Sequence, residues 1–584
     1  MERENNESIG FVIGESTTNY VTASFNDFVQ RGQYVVLKTT KGDVIGLVEE
    51  VISKNPVFDR PLSLEDISSL MNLDESILST NDIAIYAKIK LLAQIEISEG
   101  DSRIRLSPPT TAPEPLSEVR RAPNDVLEKI FSKSLERNVI RIGRLSAHPE
   151  VSVYVDVNKM VSRHLAILAV TGAGKSNTVT IISSRLVEKG GTILIFDMHG
   201  EYSSAFESDK INLIQAKVNP AKLDISSFSK LIGLRDAPKQ ELYLRNILSA
   251  WEVMYSAQIY TRESQLFDFI TTALIELMNA SSKVALPIIR NREVVRKVLE
   301  ELKGKVDPNK PIRSLNDIAR LLGRDDIVKT LQSCSNYDPS ICEHSIALLD
   351  ISSSDRNTTL PSLLVKIEES RNRYENIIDF NVPKVVSQIE PGKVNVVDLS
   401  QVDEEAADII VSTILRDILQ ARKAYVQKRD SINGLEYPIF LVLEEAHILA
   451  PKDRTTLTKY WTARIAREGR KFGVGICLVS QRPKGLDQDT LSQANNMIVM
   501  RLIEPMDQKH VQASSESLSD DLLKQLPSLD VGEAILLGPM TPLPAIVKID
   551  KAEGKSLGSD IDIVSEWQNI KKKRESYLEE EDVW

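Results

Sequence analysis

The run LAILAVTGAGKSNT, residues 165–178, decides the fold. Leu165–Val170 is a short, wholly apolar stretch of the length and composition of a buried strand. A glycine-rich turn follows, and then NTVTIISSRLVEK (177–189), which reads as a helix. Strand, glycine turn and helix start in that order form a phosphate cradle. Gly172 and Gly174 let the backbone N–H groups turn inward beside a helix N-terminus. The pattern A-x-x-x-x-G-K-S runs from Ala169 to Ser176, with Ala where the common form has Gly. In this pattern Lys175 reaches the β- and γ-phosphates and Ser176 puts its hydroxyl on Mg²⁺. Ala173 and Asn177 complete the loop. ATP and Mg²⁺ are the expected cofactors.

Outward from the loop, further apolar runs alternate with helix-period segments: TILIFD (192–197), VNVVDL (394–399), PIFLVLEE (438–445), VGICLVSQ (474–481) and MIVMRL (497–502). Such alternation predicts an α/β fold, a RecA-like P-loop parallel sheet covered on both faces. PIFLVLEE ends in two carboxylates, poor residues for a core. Glu444 stands where Asp is usual on the metal side, and Glu445 is placed to activate the attacking water. Gln481 ends the next strand, as a γ-phosphate sensor or an ordinary edge residue. Asp197, His199 and Glu201 in FDMHGEY (196–202) fall at the carboxyl edge of the sheet, where open α/β folds bind ligands; for His199 and Glu201 the role is chemical or one of capping or hinge. ARIAREGRKFG (463–473) carries Arg464, Arg467, Arg470 and Lys471, a solvated basic face or an arginine finger for a neighbouring site. Arg470 is the first choice for the finger and Arg467 the second.

The stretch between residues 197 and 394 is too long for one crossover. Segments 239–257, 265–280 and 291–305 have helical period, so residues 217–385 read as an inserted helical domain. The ATPase core is then 140–216 with 386–550, followed by a charged tail or arm, 551–584. Residues 1–105 hold short runs rich in Val, Ile and Tyr, punctuated by Gly14, Gly32 and Gly42, and read as a small N-terminal β-barrel. Residues 106–139, opening on a Pro-rich run, are expected to be a linker and a helix.

A chain of 584 residues suggests two to four domains. It has no apolar run long enough to span a bilayer, and its polar start does not resemble a signal peptide. Cys334, Cys342 and Cys477 form no zinc pattern with the histidines, and their usage fits a cytoplasmic protein. A net charge of −11 does not exclude nucleic acid, because a basic channel can lie inside an acidic exterior.

These stretches resemble the HerA family of archaeal hexameric DNA-translocating ATPases. The resemblance is carried by VNKMVSRHLAILAVTGAGKSNT (157–178), FDMHGEY, FLVLEEAH (440–447), AREGRKFGVGICLVSQRP (466–483) and the barrel runs IGFVIG and GQYVVLKTTKGDVIGLVEEV. It implies a homo-hexameric ring that pumps double-stranded DNA and acts with a NurA nuclease, and with Mre11 and Rad50, in resecting DNA ends. It also implies that Glu445 is the catalytic glutamate, Glu444 the metal-side carboxylate, Arg470 the trans-acting arginine, and Arg163 a second arginine near the nucleotide. The expected function is an ATP-driven duplex translocase. A pump for single-stranded DNA or polypeptide, and a nucleotide-gated scaffold around DNA, are the alternatives. Lys452, Arg454 and Lys459 in PKDRTTLTK (451–459) are candidate DNA contacts.

Overall fold

The computed structural model describes residues 8–54, 84–97, 104–132, 137–234, 236–256, 260–279, 283–287, 346–350, 352–428, 434–515, 517–552, 563–565, 567, 568 and 570. The N-terminal strands are β1 (Ser8–Ile13), β2 (Tyr20–Phe25), β3 (Tyr34–Thr39), β4 (Gly42–Lys54), β5 (Ala84–Ile97), β6 (Ile104–Ser107) and β7 (Glu118–Arg121). They run in the order β2-β1-β7-β3-β4-β5-β6, and a β2–β5 pairing closes a barrel. Alternate residues point inward, so Val12, Val21, Val35, Leu37, Val44, Ile89 and Val119 fill it. Closure between β2 and β5 covers the free edge of β2, and the short β6 stays as an edge paired only with β5. Strand β7 corrects the expected linker. Residues 118–121 pair antiparallel with both β1 and β3 and bury Val119.

The second sheet contains β8 (Val139–Leu145), β9 (Ser152–Asp156), β10 (Leu165–Leu168), β11 (Thr192–Asp197) and β12 (Ile211–Gln215). After the insert, whose strands are β13 (Lys283–Pro287) and β14 (Ile346–Asp350), it continues with β15 (Val394–Asp398), β16 (Ile439–Leu443), β17 (Val474–Ser480), β18 (Asn496–Val499), β19 (Glu533–Leu537) and β20 (Ala545–Ile549). Its order is β12-β15-β11-β16-β17-β10-β18-β19-β20-β8-β9. Neighbours from β12 to β18 are parallel, and those from β18 to β9 are antiparallel. The core is a RecA-like P-loop sheet, with one correction. Residues 139–156, expected to open the parallel alternation, form an antiparallel hairpin at the far edge.

Long helices cover the sheet. Helix Glu404–Val426 starts where Asp403 accepts a hydrogen bond from the Ala406 N–H, with Glu404 and Glu405 in its first turn. Both features offset the unpaired amides and positive end of the helix. Barrel and sheet share one buried cluster, in which Tyr34, Ile45 and Leu47 lie with Phe131, Val153 and Ile546. The Tyr34 hydroxyl donates to the Pro544 carbonyl at 2.7 Å. The insert has its own core, with Phe228, Leu244, Trp251, Leu266, Phe267, Ile270 and Leu363 fully or nearly buried. Helices Pro238–Ser256 and Leu266–Asn279 match two of the predicted segments, but β13 and β14 form an antiparallel pair where helix alone was expected. The predicted helix 291–305, Cys334 and Cys342 lie outside the described residues. Among the described residues no helix is long and apolar enough to cross a membrane.

Candidate active site

Four adjacent strands, β11, β16, β17 and β10, place their carboxyl ends side by side. Their following loops carry every predicted catalytic group except the arginines. The phosphate loop follows β10. Gly172 has φ +76 and Gly174 φ +110, backbone that side chains resist. A Cβ at Gly174 would also stand 3.1 Å from the Met500 side chain. Helix Lys175–Glu188 starts on Gly174 and buries Val179, Ile182 and Leu186 against the sheet. From the far side the Gly532 N–H donates to the Ala173 carbonyl at 2.9 Å. Asn177 does not face the loop as expected. Its side chain donates to the Asp550 carbonyl and accepts from the Ala552 N–H, both at 2.8 Å, tying down the chain after β20.

The loop after β11 is folded around Asp197, which is fully buried. Its carboxylate accepts from the N–H groups of His199, Gly200, Glu201 and Tyr202 at 2.9–3.3 Å. Asp197 is thus the organiser of this loop. The loop delivers Glu201 to the Ser176 hydroxyl at 2.8 Å and His199 to within 3.6 Å of Glu445.

Glu444 and Glu445 follow β16 and are both 3% exposed. Burial first, then the carboxylates of Asp197, Glu201 and Glu445, push the Glu444 pKa up to about 9. Its Oε2 is buried with no hydrogen-bond partner among the described residues. Burial also lowers the pKa of Lys175, against the pull of Glu445, Glu444 and Glu201. For Glu445 burial raises the pKa, but His447, Lys175 and His199 outweigh it and the net shift is downward. Glu445 therefore stays an anion, as a base for water must. Its φ of +44 is a left-handed conformation costing about 1–3 kcal/mol in a non-glycine residue.

This donor set fits a Mg²⁺–nucleotide complex. Crowded carboxylates, an orphaned Glu444 oxygen and the Ser176 hydroxyl are groups a divalent cation would satisfy. When bound, the cation neutralises phosphate charge. Ser176 and Glu444 would hold it, and Lys175 would hold the phosphates. On the neighbouring loop Gln481 accepts a hydrogen bond from the Thr171 hydroxyl at 2.5 Å, linking the end of β17 to the phosphate loop.

The arginines lie elsewhere. Arg163 precedes β10, and Arg467 and Arg470 precede β17, at the amino ends of adjacent strands. All three are exposed, and none has an ion-pair partner among the described residues. Strand β17, Val474–Ser480, separates Arg470 from Gln481 by about 20 Å at ~3.3 Å per residue. The DNA candidates are also divided. Lys452 is exposed and unpaired among the described residues, but Arg454 binds Glu404 at 2.6 Å. Lys459 bonds Asp487 at 2.8 Å and the Pro451 carbonyl at 3.1 Å, which commits its ammonium to holding the loop.

The Helicase HerA central-domain family matches residues 140–418. The "DNA double-strand break repair helicase HerA" of Sulfurisphaera tokodaii is 38% identical over 574 residues, covering 98% of each chain. Its namesake from Saccharolobus solfataricus is 37% identical, covering 96% of each. The chain belongs to the HerA helicase family. Its enzyme class is ATP hydrolase. Among solved structures, VirB4 of Thermoanaerobacter pseudethanolicus aligns with TM-score 0.39 and 14% identity, over 71% of this chain and 96% of that one.

His164, in SRHLA, is 2% exposed and has φ +62. Its Nδ1 accepts from the Ile476 N–H at 3.1 Å, and Nε2–H donates to the Ala466 carbonyl at 3.0 Å. Its own carbonyl accepts from the Asn496 amide at 2.9 Å. A neutral ring thus pins the residue before β10 to β17 and to helix Leu457–Glu468, and the backbone carbonyl adds β18. Burial holds its pKa at about 4, below the ordinary 6.5. The unfolded chain then binds more protons between those values, so stability falls as pH drops. The expected loss from this group is about 2 kcal/mol between pH 7 and pH 5. Denaturation of the wild type and His164→Asn at both pH values checks it. The variant should be weaker at pH 7 but lose less on acidification.

Proposed function

We propose that this family member is an ATP-driven translocase of double-stranded DNA that works as a ring of identical copies, hexameric by family resemblance. One observation carries the reading. The groups that bind ATP and activate water sit at one edge of the sheet, while unpaired Arg163, Arg467 and Arg470 sit at the other. No chain brings its own arginines to its own phosphates, but a neighbouring copy turned toward the site does. Lys175 and Gly174 cradle the phosphates, Glu445 takes a proton from water, and Arg470 of the adjacent copy stabilises the charge of the transferring phosphoryl group. An active site split between copies makes hydrolysis depend on how neighbours sit, and so ties chemistry to movement.

The relatives' names place them in double-strand break repair, which supports DNA as the substrate here. In this reading a NurA-like nuclease docks on the barrel, and Mre11 and Rad50 act in the same resection. Contacts to DNA would be to phosphates, with Lys452 the free candidate in its loop, so binding should be independent of sequence and weakened by salt. The test compares ATP turnover with linear duplex, with single strands and with no polymer. Stimulation by duplex well above that by single strands supports the reading. Preferential stimulation by single strands would favour the polymer-pump alternative, and slow turnover indifferent to all would favour the scaffold.

A further inference from the structure

His447 lies on the turn just after the two glutamates. Its Nδ1 hydrogen-bonds the Ser480 hydroxyl at 3.2 Å and lies at ion-pair distance, 3.1 Å, from Glu445 Oε2, a buried oxygen with no hydrogen-bond partner among the described residues. The imidazole is mostly buried, its side chain 14% exposed. Ser480 is the last residue of β17 and immediately precedes Gln481, the partner of Thr171 in the phosphate loop. The Ser480 hydroxyl also accepts from the Arg482 N–H at 3.1 Å, so it is fixed on the turn that carries Gln481, the candidate γ-phosphate sensor. Glu445 itself needs holding, because its left-handed backbone is intrinsically unfavourable. Contacts therefore run without a break from Thr171 through Gln481 and Ser480 to His447 and Glu445.

We propose that His447 is a positioning residue that fixes the Glu445 carboxylate on the attacking water and ties that position to the sensor turn of β17. The proposal rests on Glu445 being the base for ATP hydrolysis. In this role His447 acts through Glu445, which it orients. His199 contacts the other carboxylate oxygen at 3.6 Å, but it is exposed and sits on the loop organised by Asp197. The buried contact is the one from His447. Misplacing a catalytic group by about 1 Å can cost ~10²-fold in rate.

The test measures steady-state ATP hydrolysis by the full-length protein carrying His447→Ala, His447→Asn, Ser480→Ala or Glu445→Gln, beside the wild type. The amide nitrogen of Asn stands close to the position of Nδ1. The expected result is a kcat lower by about 10–100-fold in His447→Ala with KM for ATP little changed. Recovery of most of that loss in His447→Asn and a smaller fall in Ser480→Ala complete the pattern. A His447→Ala enzyme with wild-type kcat, or one whose loss lies in KM, overturns the proposal. So does His447→Asn behaving like His447→Ala. If His447→Ala does not fold, a Ser480→Ala enzyme with unchanged kcat overturns the coupling. A wild type that does not hydrolyse ATP removes the underlying reading instead, whereas an active wild type with an inert Glu445→Gln isolates the result to His447.

Discussion

Glu445→Gln is expected to bind ATP and fail to turn it over. The substitution keeps the shape and burial of the side chain but removes the carboxylate proposed to accept the proton from water. General-base contributions of this kind are typically about 10²–10⁴-fold. The structure favours the upper part of that range. Glu445 is 3% exposed, its pKa is held down by His447, Lys175 and His199, and Glu444 beside it is pushed toward the protonated form. Lys175→Ala should differ, losing nucleotide binding together with turnover. Equilibrium binding of a fluorescent ATP analogue, paired with phosphate release, separates the two cases. Glu445→Gln turning over at more than a tenth of the wild-type rate would assign the base elsewhere.

The second large effect is expected at Arg470. Arginine fingers contribute about 10³–10⁵ in rate where they have been measured. Arg470 is exposed and makes no ion pair among the described residues, so Arg470→Ala removes nothing that holds its own chain together. The variant should unfold at the wild-type temperature, bind ATP, and hydrolyse it at least 10²-fold more slowly. Arg467→Ala should lose less, because that residue is one helical turn further from β17. Arg464 should lose least, being engaged with Glu468 at 3.3 Å and with the Trp461 ring. A wild-type rate in Arg470→Ala would transfer the role to Arg163 or Arg467.

Much of this was legible from the chain because burial leaves a strong signature. The strands at the centre of the sheet are unbroken apolar runs, and P-loop chemistry needs residues that fit no core: glycines with positive φ, a lysine, paired glutamates. Other features leave weaker traces. Glu118–Arg121 is a four-residue strand with one buried side chain, and a Pro-rich run hides it. The hairpin 139–156 contains apolar residues like those of the parallel strands, and periodicity does not give strand direction. His164 and His447 look like loop residues in sequence. Their roles come from partners such as Ile476 and Ser480, which only the fold brings near. Asp197 was legible as the end of a strand, but not the turn it closes on the amides of residues 199–202. The same holds for Lys459, a free cation in sequence and an ion-paired one in the structure.

The central claim is that each ATP site is completed by a second copy, and mixing inactive chains tests it most directly. Lys175→Ala lacks the phosphate grip but keeps Arg470, while Arg470→Ala keeps the phosphate loop. Co-expressed, they should form some interfaces in which an intact loop faces an intact arginine. ATP turnover by the mixture should then rise well above that of either variant alone. Turnover by a verified mixed assembly that stays at the level of the separate variants would mean that loop and arginine act within one chain, and would contradict the account.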